Sequence, residues 1–173
     1  MTTPDTGAGE APRERPAVTL RPRRGAEFSR IWGMGDYRPE RIITNDEICE
    51  FIDSSDEWIR ERSGIVTRHQ AAPDESVVDM SVAAGRAAIE SAGIDPAQIG
   101  TVIVATLCHP YQTPAAATLV AQSVGATNAA AFDLSAACSG YCYGISLADD
   151  LVRGGGAEFV LVIGVEKMSD FRD

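Results

Sequence analysis

No stretch of about 18 apolar residues occurs in the 173-residue chain, so no membrane-spanning helix is expected. The first 24 residues lack the apolar centre of an export signal and are rich in Pro, Arg, Thr and Gly. A cytoplasmic, reducing setting is therefore the expectation, and the four cysteines read first as thiols. Histidine is scarce, His69 and His109 only, and no Cys or His cluster completes a metal site. No glycine-and-lysine phosphate loop is found. Gly33 and Gly35 in SRIWGMGDYRP are not followed by a third glycine at dinucleotide-binding spacing.

Positive charge is also in short supply. The chain has 15 basic and 25 acidic side chains, net −10. Residues 1–24 hold Arg13, Arg15, Arg21, Arg23 and Arg24 against Asp5, Glu10 and Glu14, which leaves the remainder at −12. So acidic a body excludes nucleic acid as a partner. Residues 1–26 read as a disordered Arg/Pro-rich tail, either solubilising or touching an acidic partner. Residues 27–173 read as one folded domain, with 45% hydrophobic residues across the chain to build a core.

Along that domain, SRIWGMGDYRP (29–39) predicts a short strand and turn. Thr44 opens a capping box with Glu47, and a short helix follows with Ile48, Phe51 and Ile52 inward. Ser54 opens a second box with Glu57, and its helix ends at Gly64. Trp58 and Arg62, four apart, share a face of that helix. A longer helix covers 76–92 and ends at Gly93. TVIVAT (101–106) is a continuous apolar run, the pattern of a parallel strand buried on both faces. Thr113 as N-cap and Pro114 at N1 predict a helix over 114–124. AAFDLSA (130–136) is a second buried strand, residues 138–152 a helix, and EFVLVIGVE (158–166) a third strand. Alternating helices and strands with short links predict an α/β fold wound on a mostly parallel sheet. Three strands make a thin sheet, and only seven residues follow the last one. The expectation is that residues 1–173 form one half of something larger or need another chain to complete the core.

DLSAACSGYCYGIS (133–146) carries the chemistry. Cys138 falls where a strand turns into a helix, at the carboxyl end of the sheet where α/β folds build their sites. A helix N-terminus favours an anion, hence the thiolate, and its backbone N–H groups can form an oxyanion hole. Ala136, Ala137, Ser139 and Gly140 leave room for a substrate chain. Three readings stay open from these residues alone: a nucleophile, a buried structural cysteine, or a metal or disulfide pair with Cys142.

These segments resemble the thiolase-type condensing enzymes. DLSAACSGYCYG is similar to their nucleophile segment. SSDEWIRERSGIVTRH (54–69) is similar to a signature of β-ketoacyl-acyl-carrier-protein synthase III, which starts fatty acid synthesis. ATLCHPYQTPAAATLVAQSVGA and EFVLVIGVEKMSD follow that family in order and spacing. The likeness spans about residues 28–173. Chalcone-type synthases and thiolases share the fold but not a block like residues 56–65.

The resemblance implies a thiolase-like fold, here the N-terminal half of a duplicated α-β-α-β-α architecture with helices on both faces of the sheet. It implies that Cys138 takes the acyl group of a short, including branched, acyl-coenzyme A. The group is then condensed with malonyl-acyl carrier protein as CO2 is lost. Alternatives within the family are a polyketide starter-unit ketosynthase, an acyltransferase or a non-catalytic half. Trp58 matches the tryptophan that stacks on the coenzyme A adenine, Arg62 the arginine near its phosphates, and Ser54 a hydroxyl near the adenine. An indole supplies a flat apolar face and a guanidinium grips phosphate. Thr113 matches a residue that crosses the family's dimer interface into the acyl pocket of the other subunit, so a homodimer is implied. No cofactor or metal is implied, coenzyme A being part of the substrate. The family's carbanion-stabilising histidine and asparagine come from its second half, and neither His69 nor His109 matches them. Docking an acidic carrier protein on a −12 body needs a local basic patch, to which Arg60, Arg62 and Arg68 could contribute; the alternative is a solvated face.

Overall fold

The computed structural model describes residues 24–171. The predicted disordered tail lies mainly outside the described residues. A three-stranded parallel sheet forms the centre, with β3 (Ile99–Ala105) between β4 (Ala130–Leu134) and β5 (Phe159–Gly164). The continuous apolar run in β3 is buried on both sides, and Val102, Ile103 and Val104 have no exposed surface. Val102 and Val104 face a core shared with Val120 of α4 (Ala116–Val124) and Ile89 of α3 (Val77–Ala92).

Ile103 and Ala105 face α5 (Gly140–Arg153) on the opposite side. That helix lies close to the sheet because Gly144 lacks a side chain: a Cβ there would sit 2.8 Å from Val162. Gly140 likewise rests against Ala105, where a Cβ would come within 3.1 Å. Helices therefore cover both faces, and the alternating order α3–β3–α4–β4–α5–β5 stands. The predicted helix ends also stand: Gly64, Gly93 and Gly125 hold left-handed conformations that end their helices.

Several expectations are corrected. β4 is not a buried strand. It forms an edge of the sheet, its residues alternate between exposed and half-buried, and Phe132 is exposed. Residues 29–39 form no strand and do not join the sheet. Gly33 and Gly35 bring this segment onto the α3 backbone, where a Cβ would lie within 2.6 Å and 2.3 Å of Ala88. Trp32 fixes it by donating from Nε1 to the Ala92 carbonyl at 3.0 Å.

A two-stranded antiparallel sheet, β1 (Arg41–Thr44) with β2 (Thr67–Gln70), lies outside the sequence expectation. Between its strands run α1 (Asn45–Cys49) and α2 (Asp56–Ser63). Thr44 caps α1 as expected, accepting from the Glu47 N–H at 3.3 Å. Glu47 turns its carboxylate to Arg41, and Phe51 and Ile52 point to solvent rather than inward.

Candidate functional site

Cys138 lies in a single 3₁₀ turn, Ala137–Ser139, between β4 and α5. Its thiol is free and exposed. The preceding Ala137 holds φ 47°, a left-handed backbone rarely taken by a residue with a side chain. The turn is closed by the Ser139 N–H donating to the Ala136 carbonyl at 3.1 Å. The expected helix start at 138 is thus a tighter turn, with the α-helix beginning at Gly140. Cys138 opens on a groove of about 1600 Å³ that also passes Ala105, Tyr141, Gly164 and Glu166. Cys142, one turn along α5, is a separate exposed thiol.

The chain leaving β3 occupies the same end of the sheet. Residues 106–115 form an irregular loop carrying Cys108, His109 and Thr113. Cys108 is buried against Val77 and Met80, and its S–H donates to Glu166 Oε2 at 2.8 Å. Burial first, and the Glu166 carboxylate second, push its thiol up to about 11. Thr113 is exposed, and its bond to Pro114 is cis. It does not cap α4 as expected, nor is Pro114 the first helical residue. Ala115 occupies the cap position and offers no side-chain oxygen. Asp133 of β4 replaces it, accepting from the N–H groups of Ala116 at 2.8 Å and Ala117 at 2.7 Å.

Trp58 and Arg62 share the exposed face of α2, with the guanidinium carbon 5.8 Å from the indole centroid. The helix cap is Ser55, which accepts from the Trp58 N–H at 3.2 Å, and not the predicted Ser54. The Ser54 hydroxyl is instead buried, with no hydrogen-bond partner among the described residues. None of Ser54, Trp58, Arg62 and Thr113 lines the groove that reaches Cys138.

Asn45 holds α2 in place and was not singled out by its sequence context. It is buried and donates to Asp56 Oδ1 and the Ile65 carbonyl, both at 2.8 Å. It accepts from Arg68 at 2.8 Å, while Arg60 binds Asp56 at 2.8 Å. Arg60, and then Asn45, hold the Asp56 carboxyl below the usual carboxylate range. Arg60 and Arg68 are therefore engaged within the fold, and Arg62 is the arginine of the three turned to the indole. The two histidines are bound locally: His69 Nδ1 to the Pro39 carbonyl at 2.6 Å and His109 Nε2 to the Pro114 carbonyl at 3.1 Å.

A cysteine on a strained turn at the carboxyl end of a parallel sheet, beneath helices on both faces, is the arrangement of a thiolase-type domain. The chain belongs to the thiolase family, whose N-terminal domain model matches residues 60–172. It is 54% identical over 154 residues to β-ketoacyl-[acyl-carrier-protein] synthase III 1 of Streptomyces coelicolor, covering 89% of this chain and 45% of that protein. It is 55% identical over 145 residues to β-ketoacyl-[acyl-carrier-protein] synthase III of Kocuria rhizophila, covering 84% and 41%. Among solved structures, the priming β-ketosynthase of a polyketide biosynthetic pathway superposes with a TM-score of 0.82 at 47% identity, covering 90% of this chain and 46% of that one. The chain thus spans a little under half the length of these relatives.

Proposed function

We propose that this chain carries the acyl-accepting part of a β-ketoacyl-acyl-carrier-protein synthase III, an acyltransferase, with Cys138 as its nucleophile. The observation behind this is the exposed thiol on the Ala137 turn, at the start of α5 and beside an open groove. The Cys138 sulfur attacks the thioester carbonyl of a short acyl-coenzyme A. The new S–C bond forms as the bond to coenzyme A breaks, and coenzyme A leaves as its thiol with the proton from Cys138. The acyl-enzyme then meets the carbanion formed when malonyl-acyl carrier protein loses CO2, and Cys138 is released as the new C–C bond forms. Two substrates reacting in turn give ping-pong kinetics. Neither half-reaction needs a metal or an organic cofactor, since the thioester itself supplies the activated carbonyl.

Trp58 stacks on the coenzyme A adenine and Arg62 meets its phosphates, which the pairing of indole and guanidinium on one exposed helix face supports. The buried, unpartnered Ser54 hydroxyl supports a polar contact close to the adenine. Thr113, exposed and small, contributes to the acyl pocket of a second subunit in a cytoplasmic homodimer. The residues that stabilise the carbanion belong to the second half of the family's fold. Both histidines of this chain are bound to local carbonyls, which supports assigning that step elsewhere.

A polyketide starter-unit ketosynthase is the second reading, favoured by the likeness to the priming β-ketosynthase. Both readings share the acylation of Cys138. Intact mass and peptide mapping after incubation with a panel of short acyl-coenzyme A esters test it. An adduct on Cys138, absent in Cys138→Ala, is the expected result; a folded chain that takes no acyl group refutes the assignment. Transfer to malonyl-acyl carrier proteins from the fatty acid and polyketide routes then separates the two readings.

A further inference from the structure

Two carboxylates grip the loop that leaves the central strand. Glu166, two residues beyond β5, takes the start of the loop: the Leu107 N–H lies 3.1 Å from both its oxygens, the Thr106 hydroxyl 3.3 Å and the Cys108 thiol 2.8 Å from Oε2. Asp133, in β4, takes its end through the Ala116 and Ala117 N–H groups. Asp133 lies in one strand flanking β3 and Glu166 just beyond the other, so the two carboxylates reach residues 106–117 from either side of the central strand. The loop adds two short ties of its own, the Cys108 N–H to the Thr106 hydroxyl at 3.0 Å and His109 Nε2 to the Pro114 carbonyl at 3.1 Å, but its cap residue Ala115 offers α4 no side-chain oxygen. Asp133 also stands five residues before Cys138, on the strand that delivers the nucleophile turn.

We propose that Asp133 and Glu166 are positioning residues that fix the 106–115 loop, and with it Thr113, against the sheet of their own chain, and so set which acyl groups are accepted by Cys138 of the partner subunit. This rests on the assignment of Cys138 and Thr113 under Proposed function. Both carboxylates spend their oxygens on donors of the chain itself. Their contribution is the placement of a loop that otherwise lacks regular structure and carries large exposed side chains such as Tyr111. Asp133 is the stricter of the two. Both its oxygens face backbone N–H donors that cannot reverse, so Asp133→Asn must aim an amide donor at one of them. In Glu166→Gln, the hydroxyl and thiol partners can turn and accept instead.

The test is a competition between acetyl- and isobutyryl-coenzyme A for Cys138, read as the ratio of the two adducts in the full chain. Wild type, Asp133→Asn, Glu166→Gln and Thr113→Phe are compared. Hydrogen exchange is measured at the amides of Leu107, Ala116 and Ala117. The expected result is at least a fivefold change of the ratio in Asp133→Asn and a smaller one in Glu166→Gln. Exchange should be at least tenfold faster at the amides each carboxylate holds. A merely destabilised fold would lower both adducts together and leave their ratio alone, as would a loop that loosens without bearing on the site; either overturns the proposal. Unchanged exchange in both carboxylate variants also overturns it. A shift in Thr113→Phe alone removes the carboxylates' role and keeps the acyl-pocket assignment. A shift in the carboxylate variants alone removes Thr113 from the pocket. A wild-type chain without adduct refutes the site assignment itself, and the selectivity role falls with it.

Discussion

Cys108 and Cys138 stand at the same end of the same sheet and differ in almost everything that governs a thiol. Cys108 leaves the central strand into a buried pocket, with Val77 and Met80 around it, Met168 sulfur 4.0 Å away and a carboxylate against its proton. Cys138 leaves an edge strand into an exposed turn, where the next residues begin a 14-residue helix. Burial and a facing negative charge both penalise a thiolate at Cys108. The fold keeps one sulfur as a proton donor that ties the end of β3 to Glu166 and leaves the other exposed beside the groove. Position at the carboxyl end of a sheet thus does not fix a cysteine's exposure; the strand's place in the sheet and the turn that follows it do.

The most direct way to break this comparison is to exchange the roles by deletion. Cys138→Ala should reduce the acyl adduct to background. Cys108→Ala should keep at least half of the wild-type acylation rate and lower stability by about 1 kcal/mol, the usual scale for one lost buried contact. Mass spectrometry of the adduct and urea unfolding check both. Acylation of Cys108 in the Cys138→Ala chain would end the assignment of unequal roles.

How far these roles could be read in the sequence differs between the two cysteines. The place of Cys138 between a strand and a helix was legible because the signal is local: small residues, a strand before and a helix after. β3 was legible for the same reason, since an unbroken apolar run leaves little choice but a doubly buried strand. β4 has a similar composition yet lies at an edge, and nothing within its five residues records which strands will flank it. The capping errors share that origin. Thr113 reads as a cap because of its neighbour Pro114, while the oxygen that caps α4 comes from Asp133, on the next strand. Glu166 and Asn45 were missed because their partners are long-range, Glu166 reaching back to Thr106 and Asn45 forward to Arg68. Ser54 and Ser55 are equally good caps by type. Ser55 prevails where Asp56, at the first helical position, binds both Asn45 and Arg60.

Labelling rates sharpen the contrast at smaller scale. With the Cys108 thiol at about 11, about one molecule in a thousand is thiolate at pH 8. Iodoacetamide should then label Cys108 roughly 100-fold more slowly than a thiol at its ordinary value, before any steric protection is counted. Cys138, exposed where Cys108 is buried, should be labelled before Cys108 in every time course read by peptide mapping. The same shift predicts a stability change with pH. The folded chain holds the Cys108 proton more tightly than the unfolded chain does. Stability from this source is therefore complete below about pH 9 and is lost as pH rises toward 11. Urea midpoints measured across that window should fall in wild type and fall less steeply in Cys108→Ala. Equal slopes would mean that Glu166 and burial do not govern this thiol.

The smallest effect concerns the turn itself. Ala137 holds its positive φ at a strain of about 1 kcal/mol, which Ala137→Gly removes. Glycine also widens the unfolded ensemble, at a cost of about 0.4–1 kcal/mol, so the net change in stability should stay within about 0.5 kcal/mol. The informative readout is Cys138. Its turn is braced beyond Ala137 by the Ser139-to-Ala136 hydrogen bond and by Gly140 seated on Ala105, neither of which the substitution touches. Iodoacetamide labelling of Cys138 should therefore stay within about twofold of wild type. A tenfold loss at unchanged stability would show instead that the alanine side chain, and not the seat of α5 on the sheet, holds the thiol where substrate can reach it.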